Sequence, residues 1–254
     1  MKDFWEQQAR EYKAGIHAVN FDIMLEDLES FFLGKLRFDG QTFCDAGCGN
    51  GRTLLELAKQ NPSAHFYGFD FSDGMISVAK AEQERLKIKN VIFSVADACG
   101  TNFLDTDAGR FDVVLTKRLM INLKGDDKNK VVRKIHHALK PGGLYLMLEC
   151  FIEPLEKINQ IRKSLGLEEI AVKSFNEYLK EEHWSYIKNF FSVESKNDFV
   201  GLYYFISRIF NAHLSRENIA YDAPINKLAV QLTKAGVNPV EGYAPEVMFH
   251  LRKK

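Results

Sequence analysis

The stretch from residue 41 to residue 57 constrains the fold more than any other part of the chain. A strand-like run, Gln41–Cys44, leads into Asp45-Ala46-Gly47-Cys48-Gly49-Asn50-Gly51, and a leucine-rich stretch from Arg52 to Leu57 comes next. Alternating glycines let the backbone turn tightly and approach a ligand closely. A helix starting there presents unpaired N–H groups and the positive end of its dipole. Strand, glycine turn and helix start together read as a nucleotide-cradling turn. Such a run also occurs in ordinary turns, so its meaning depends on the order of elements downstream.

Downstream, strands and helices alternate. Ala64–Asp70 reads as a second strand, Val91–Ala96 as a third, Phe111–Thr116 as a fourth and Leu144–Glu149 as a fifth. Between them, Gly51–Gln60 is a helix closed by Asn61-Pro62, and Asp73–Arg85 a helix with Ser72 or Asp73 as N-cap. Lys128–Leu139 is a helix stopped by Pro141-Gly142-Gly143. This rhythm predicts an α/β fold, a doubly wound and mainly parallel sheet with helices on both faces.

Beyond Glu149 the rhythm changes. Pro154–Leu167 and Ser174–His183 are expected as helices, Tyr186–Val193 as a sixth strand, Ile225–Lys234 as a helix and Val247–Arg252 as a last strand. Phe199–Leu214 is apolar and aromatic, and reads as a core helix, a pocket wall or both. About fifty residues would then separate the last two strands, which is long for a hairpin connection, so residues 195–243 are expected to form a helical cap over a pocket. Residues 1–39 read as helical, with Phe21, Met24, Leu25, Leu28, Phe31 and Phe32 at three- and four-residue spacing. The chain 1–254 is thus expected to be a single domain with its ligand-binding core at 40–150.

Composition narrows the function classes. Lysine plus arginine equals aspartate plus glutamate at 34 each, so no overall field favours a nucleic-acid partner. No apolar run reaches the length of a membrane span, and Met1-Lys2-Asp3-Phe4-Trp5-Glu6 does not read as a signal peptide. Cys44, Cys48, Cys99 and Cys150 form no CxxC pair and have no accompanying histidine cluster, so no metal site is expected. They read as buried thiols in a reducing compartment, and the expected location is the cytoplasm.

Open α/β sheets bind ligands outside the carboxyl ends of their strands. The first strand delivers Asp45 and the glycine loop there, the second Asp70, the third Asp97, the fourth Thr116-Lys117-Arg118 and the fifth Glu149. A carboxylate at Asp70 suits the two hydroxyls of a ribose, and one at Asp97 the exocyclic amine of a base. Asp is common in turns, but three acids in register after apolar runs exceed what turns account for.

With these residues in place, the chain resembles the class I S-adenosylmethionine-dependent methyltransferases of small-molecule type, from about Trp5 to Glu149. FCDAGCGNG matches the glycine motif, FYGFDFS the second acidic motif, VADA the adenine-side motif and LKPGG the turn before the fifth strand. The resemblance implies a seven-stranded sheet with the last strand antiparallel, and S-adenosyl-L-methionine as cofactor. It implies that Gly47, Cys48 and Gly49 pass the methionine portion with Asp45 near its amino group. Asp70 would hold the ribose, Phe71 and Met75 flank the adenine, and Asp97 with Ala98 read its edge. Trp5, Ala9 and Tyr12 look like the mobile lid segment of small-molecule members. A nicotinamide dinucleotide fold is the rival for the loop, but its third glycine position holds Arg52.

The acceptor is less legible. His17 and Tyr12 in the lid and Glu149 at the fifth strand are candidate catalytic groups; Arg118, Asn122, Tyr203, Tyr204 and Arg208 are candidate substrate contacts. After the fourth strand stands Thr116-Lys117-Arg118-Leu119, with none of the prolines that resemblance to nucleobase methyltransferases would require. The later part of the chain resembles bacterial small-molecule methyltransferases associated with surface polysaccharides. The expected reaction is methyl transfer to a hydroxyl, or secondarily an amine, of a small polar metabolite such as a sugar. The alternatives are a protein methyltransferase and a non-catalytic cofactor-binding protein.

Overall fold

The computed structural model describes residues 2–18, 20–100, 108–215 and 220–254; positions 1 and 19 of the N-terminal segment and 216–219 of the expected insertion lie outside them. Two helices, α1 (Lys2–Tyr12) and α2 (Ile23–Leu33), precede the sheet. Then come β1 (Thr42–Ala46), α3 (Arg52–Gln60), β2 (His65–Asp70), α4 (Asp73–Leu86), β3 (Val91–Val95), β4 (Phe111–Lys117), α5 (Asp127–Ala138) and β5 (Leu139–Cys150). Beyond β5 lie α6 (Ile152–Ser164), α7 (Glu181–Phe190) and β6 (Phe191–Asn197). The chain closes through α8 (Gly201–Phe205), a π-helical stretch Ile206–Asn211, α9 (Ala212–Leu214), α10 (Pro224–Lys234) and β7 (Glu246–Lys253).

The strands form one seven-stranded sheet in the order β3-β2-β1-β4-β5-β7-β6. The first five pair in parallel, and β7 runs antiparallel to both β5 and β6. This is the doubly wound sheet with an antiparallel last strand that the alternation and the resemblance implied. Its central strands are buried on both faces, so successive residues feed opposite cores. Phe43, Phe66, Leu115 and Leu146 pack with α3 residues Leu54 and Leu57; Cys44, Val114, Tyr145 and Met147 pack with Val131 and Ile135 of α5.

Some expectations on element bounds are corrected. The helix before the fifth strand ends at Ala138, within one residue of the expected stop, but the strand starts at Leu139 and not at Leu144: its pairing with β4 jumps from Phe111↔Leu139 to Val113↔Leu144, so Lys140-Pro141-Gly142-Gly143 bulges out of it. Ser174–His183 is not a helix. Leu179 instead bridges Phe151 in parallel, with its N–H donating to Cys150 O at 2.9 Å, and α7 starts only at Glu181. Tyr186–Val193 is not one strand, because Trp184, Ile187 and Phe190 recur at helical spacing. Trp184 stacks on Phe249 at 4.4 Å and Ile187 is buried, which holds the segment helical as far as Phe190.

Two pieces close over the carboxyl edge of the sheet. Glu6 of α1 accepts hydrogen bonds from Ser72 Oγ (2.8 Å) and Gly74 N at the start of α4, where Ser72 caps the helix by accepting from Met75 N. On the other side the helices between β6 and β7 pack on α2, and Tyr203 and Arg208 reach Asp22.

Candidate active site

The glycine loop is pinned to the end of β2. Gly47 N and Cys48 N both donate to Phe69 O, at 2.7 and 2.9 Å, and Gly49 N donates to Asp70 Oδ2 at 2.9 Å. Gly47 and Gly51 have φ of 77° and 74°, a region that disfavours residues with a Cβ. A Cβ on Gly51 would meet Ala79 Cβ and Phe93 Cζ at 2.7 Å, so the loop turns where no side chain fits. Asp70 Oδ1 accepts from Ser72 N at 2.9 Å. A carboxylate offers about four lone-pair positions, so two remain beyond the backbone contacts.

A cavity of about 940 Å³ opens at this edge. Gly47, Gly49, Asp70, Phe71, Met75, Asp97 and Ala98 line one end, bringing together seven of the nine cofactor residues expected from sequence. The other two lie beneath the loop. Cys48 packs its thiol in the core beside Leu54. Asp45 is 2% exposed, and its Oδ1 has no hydrogen-bond partner. Burial pushes Asp45 up to about 7, against the pull of Lys117 and reinforced by Asp70. Burial also raises Asp70, opposed by the Ser72 and Gly49 N–H groups. The tight glycine turn, the carboxylate with two free lone-pair positions and the Phe71–Met75 wall fit an adenosyl cofactor. Bound there, S-adenosylmethionine would supply a methyl group already activated for displacement.

Next along the edge stands a buried ionic cluster. Lys117 Nζ lies 2.6 Å from Glu26 Oε1 and from Glu29 Oε2, and Arg118 binds both Glu26 (3.0 Å) and Glu29. Arg118 has φ of 55°, a strained value for an arginine, held by these carboxylates and by its N–H donating to Leu148 O at 2.9 Å. Within this cluster Glu26 is held well below the usual range by Lys117 and Arg118, which outweigh its burial. Glu29 is pushed well above it, chiefly by burial.

Of the expected acceptor-side residues, Arg118, Asn122, Tyr204, Arg208 and His17 line the cavity. Arg208 donates to Asp22 Oδ2 at 2.6 Å and lies between the rings of Tyr204 and Tyr221, 4.8 and 4.9 Å from their centroids. His17 is exposed and stacks on Phe21. Three expected residues are off the cavity wall. Tyr203 is fully buried, with its hydroxyl donating to Asp22 Oδ1 at 2.5 Å. Tyr12 packs edge-on against Phe21 behind the wall. Glu149 is 0% exposed, and its Oε1 accepts from Leu119 N and Met120 N at 3.0 Å each. It braces the turn that the left-handed Arg118 creates, and burial raises it to about 7.

The wall also contains residues that the sequence alone does not single out. Asn20, Asp22, Tyr178, Asn176, Tyr221 and Glu246 face the cavity. Asn20 Nδ2 and both carboxylate oxygens of Glu246 are buried without a hydrogen-bond partner. An acid opening the last apolar run is the available signal for Glu246, since an antiparallel strand begins at the edge where its parallel neighbours end.

Fold and site together define a Rossmann-like protein with an adenosyl-cofactor pocket at the switch point of its sheet. A family model described as a methyltransferase domain matches residues 37–194. The chain is 24% identical over 169 residues to a carboxy-S-adenosyl-L-methionine synthase of Nautilia profundicola, covering 63% of this chain and 68% of that protein. It is 30% identical over 135 residues to a demethylmenaquinone methyltransferase of Leptospira interrogans, covering 53% of this chain and about half (51%) of that relative. Geranyl diphosphate C-methyltransferase from Streptomyces coelicolor, solved with S-adenosyl-L-homocysteine, shares the fold with a TM-score of 0.60 at 16% identity, over 91% of this chain and 80% of that one. The chain belongs to the methyltransferase-domain family, as a class I S-adenosylmethionine-dependent methyltransferase. Among the described residues no helix is long and apolar enough to cross a membrane, and no group of histidine, cysteine and acidic residues is placed to hold a metal.

Proposed function

We propose that the protein methylates a hydroxyl of a small polar metabolite, with a sugar or a surface-polysaccharide precursor as the favoured class. The observation that carries this reading is the single cavity shared by cofactor-end residues and a second chamber. Its volume of about 940 Å³ is at the upper end for drug-sized ligands, which leaves room for a small acceptor beside the cofactor. The chamber is walled by the N-terminal segment, the 170–178 segment and the helices before β7, consistent with a one-domain protein in which residues 1–39 act as a lid and 195–243 as a cap. Its lining alternates amide side chains (Asn20, Asn122, Asn176) with aromatic faces (Phe21, Phe175, Tyr204, Tyr221), a combination suited to the hydroxyls and C–H faces of a sugar.

Incubation with S-adenosylmethionine carrying a labelled methyl group, against the low-molecular-mass fraction of a cell extract, tests this reading. The expected result is label in a small molecule as a methyl ether. Label in polypeptide would replace the reading with protein methylation. Absence of any transfer by protein that binds S-adenosylhomocysteine would leave a non-catalytic binding protein.

A further inference from the structure

Glu246 opens β7 and pairs in register with Cys150, at the carboxyl edge one strand beyond β5. It is only 3% exposed yet lines the cavity, and neither of its oxygens accepts a hydrogen bond from the protein. Asp45, Glu149 and Glu29 each leave one oxygen without a hydrogen bond, but none of them lines the cavity, and other carboxylates along the edge have donors. Asp70 accepts two backbone N–H groups; Asp22 accepts from Leu25 N, the Tyr203 hydroxyl and Arg208; Glu26 meets Lys117 and Arg118. Arg118 Nη1 stands 3.5 Å from Glu246 Oε2, but it is committed to Glu29 at closer range. Glu246 therefore has a charge partner in Arg118 but no hydrogen-bond donor from the protein, and it lines the cavity. A buried acceptor in that state is completed by a ligand donor.

We propose that Glu246 is the catalytic group that receives the acceptor's hydroxyl and takes its proton during methyl transfer. This rests on the reading of the protein as a hydroxyl methyltransferase. In the step, a lone pair of the acceptor oxygen forms the O–CH₃ bond as the C–S bond breaks and its electron pair returns to sulfur. S-adenosylhomocysteine and a methyl ether result, and the hydroxyl proton passes to a Glu246 oxygen.

The neighbours of Glu246 leave it as the base. Burial pushes the Cys150 thiol and the Tyr178 phenol up, and Tyr204 up to about 12, so none of the three is suited to take a proton near neutral pH. Glu149 is off the cavity wall and engaged by Leu119 and Met120. Glu29 is enclosed by Lys117 and Arg118. His17 is exposed on the N-terminal segment.

The test compares wild type with Glu246→Gln and Glu246→Asp. Calorimetry with S-adenosylhomocysteine reads folding and the cofactor end; labelled methyl transfer to the acceptor identified with wild type reads the acceptor end. Both variants are expected to bind S-adenosylhomocysteine within about twofold of wild type. E246Q should lose transfer by roughly 100-fold or more, mainly in kcat, and E246D should recover at least tenfold of that loss. Transfer by E246Q within threefold of wild type overturns the proposal while leaving hydroxyl methylation standing. Loss of S-adenosylhomocysteine binding in both variants overturns it too, by placing Glu246 in the cofactor framework. Wild type that binds S-adenosylhomocysteine but methylates no hydroxyl removes the reading on which the proposal rests, and the proposal with it.

Discussion

Replacing Asp70 by asparagine probes the link between the glycine loop and the cofactor. The native carboxylate accepts Gly49 N and Ser72 N, each at 2.9 Å, and has two further lone-pair positions, which the ribose assignment gives to the vicinal hydroxyls. In asparagine one oxygen becomes an amide that donates. One backbone N–H then loses its acceptor in the free protein, and one ribose hydroxyl loses its acceptor in the complex. A hydrogen bond to a charged group is worth about 1.5–3 kcal/mol, so the affinity for S-adenosylhomocysteine should fall roughly 10- to 150-fold. Calorimetry measures it directly, with circular dichroism to confirm the fold.

The same substitution has a pH signature. Burial raises Asp70 above the ordinary aspartate range, so its charge is lost as the pH falls through that raised value. Wild-type affinity should therefore decline on acidification over that window, and the Asp70→Asn profile should lack this component. An Asp70→Asn affinity within twofold of wild type at neutral pH would refute the assignment of Asp70 to the ribose.

Asp45 should make the free protein less stable as pH rises. Its pKa of about 7 in the fold means that the native state holds a proton which the unfolded chain releases above about pH 4. A rise of about three pH units, at about 1.4 kcal/mol each, sets an upper bound of about 4 kcal/mol lost between pH 4 and 8. Thermal denaturation of wild type against Asp45→Asn isolates this slope, and parallel curves would contradict it. In the ionic cluster, Glu26→Gln should cost about 3–5 kcal/mol and Glu29→Gln less, because Lys117 and Arg118 hold Glu26 down while burial pushes Glu29 up. Urea denaturation giving the reverse order would show that the proton sits elsewhere. Native alkylation read by mass spectrometry should modify Cys99 first, since the other three thiols are buried, and S-adenosylhomocysteine should protect it because it lines the cavity. Equal labelling with and without S-adenosylhomocysteine would place the cofactor away from Cys99.

The cofactor end is legible in the sequence because it is local. Glycine turn, strand period and strand-end acid lie within a few residues of one another, and the sheet brings each piece to the edge by simple alternation. The proposed acceptor chamber is assembled from positions far apart, such as Asp22 with Arg208 across 186 residues, and no periodicity encodes such a pairing. Glu149 shows where strand-end logic fails. Arg118 turns left-handed after β4 and frees the Leu119 and Met120 N–H groups, and the nearest strand-end acid turns inward to accept them. The extended 170–178 wall reads in part as a helix because its composition suits one, whereas the free edge at Cys150 and Phe151 draws Leu179 into a bridge.

That division also explains how the two halves of the cavity are held. The cofactor half rests on strand register and backbone hydrogen bonds from the glycine loop to β2. The half proposed for the acceptor rests on charge: α2 supplies Glu26 and Glu29, the end of β4 supplies Lys117 and Arg118, and β7 supplies Glu246. Three segments remote in sequence thus meet through ion pairs buried from solvent, where removing one partner strands another. Displacing α2 would expose the cluster and release Arg118 from its left-handed turn, which in turn would move the acceptor side of the cavity. The N-terminal segment is therefore part of the framework of the proposed acceptor site, because the charge beside Glu246 is itself held in place by carboxylates from that segment.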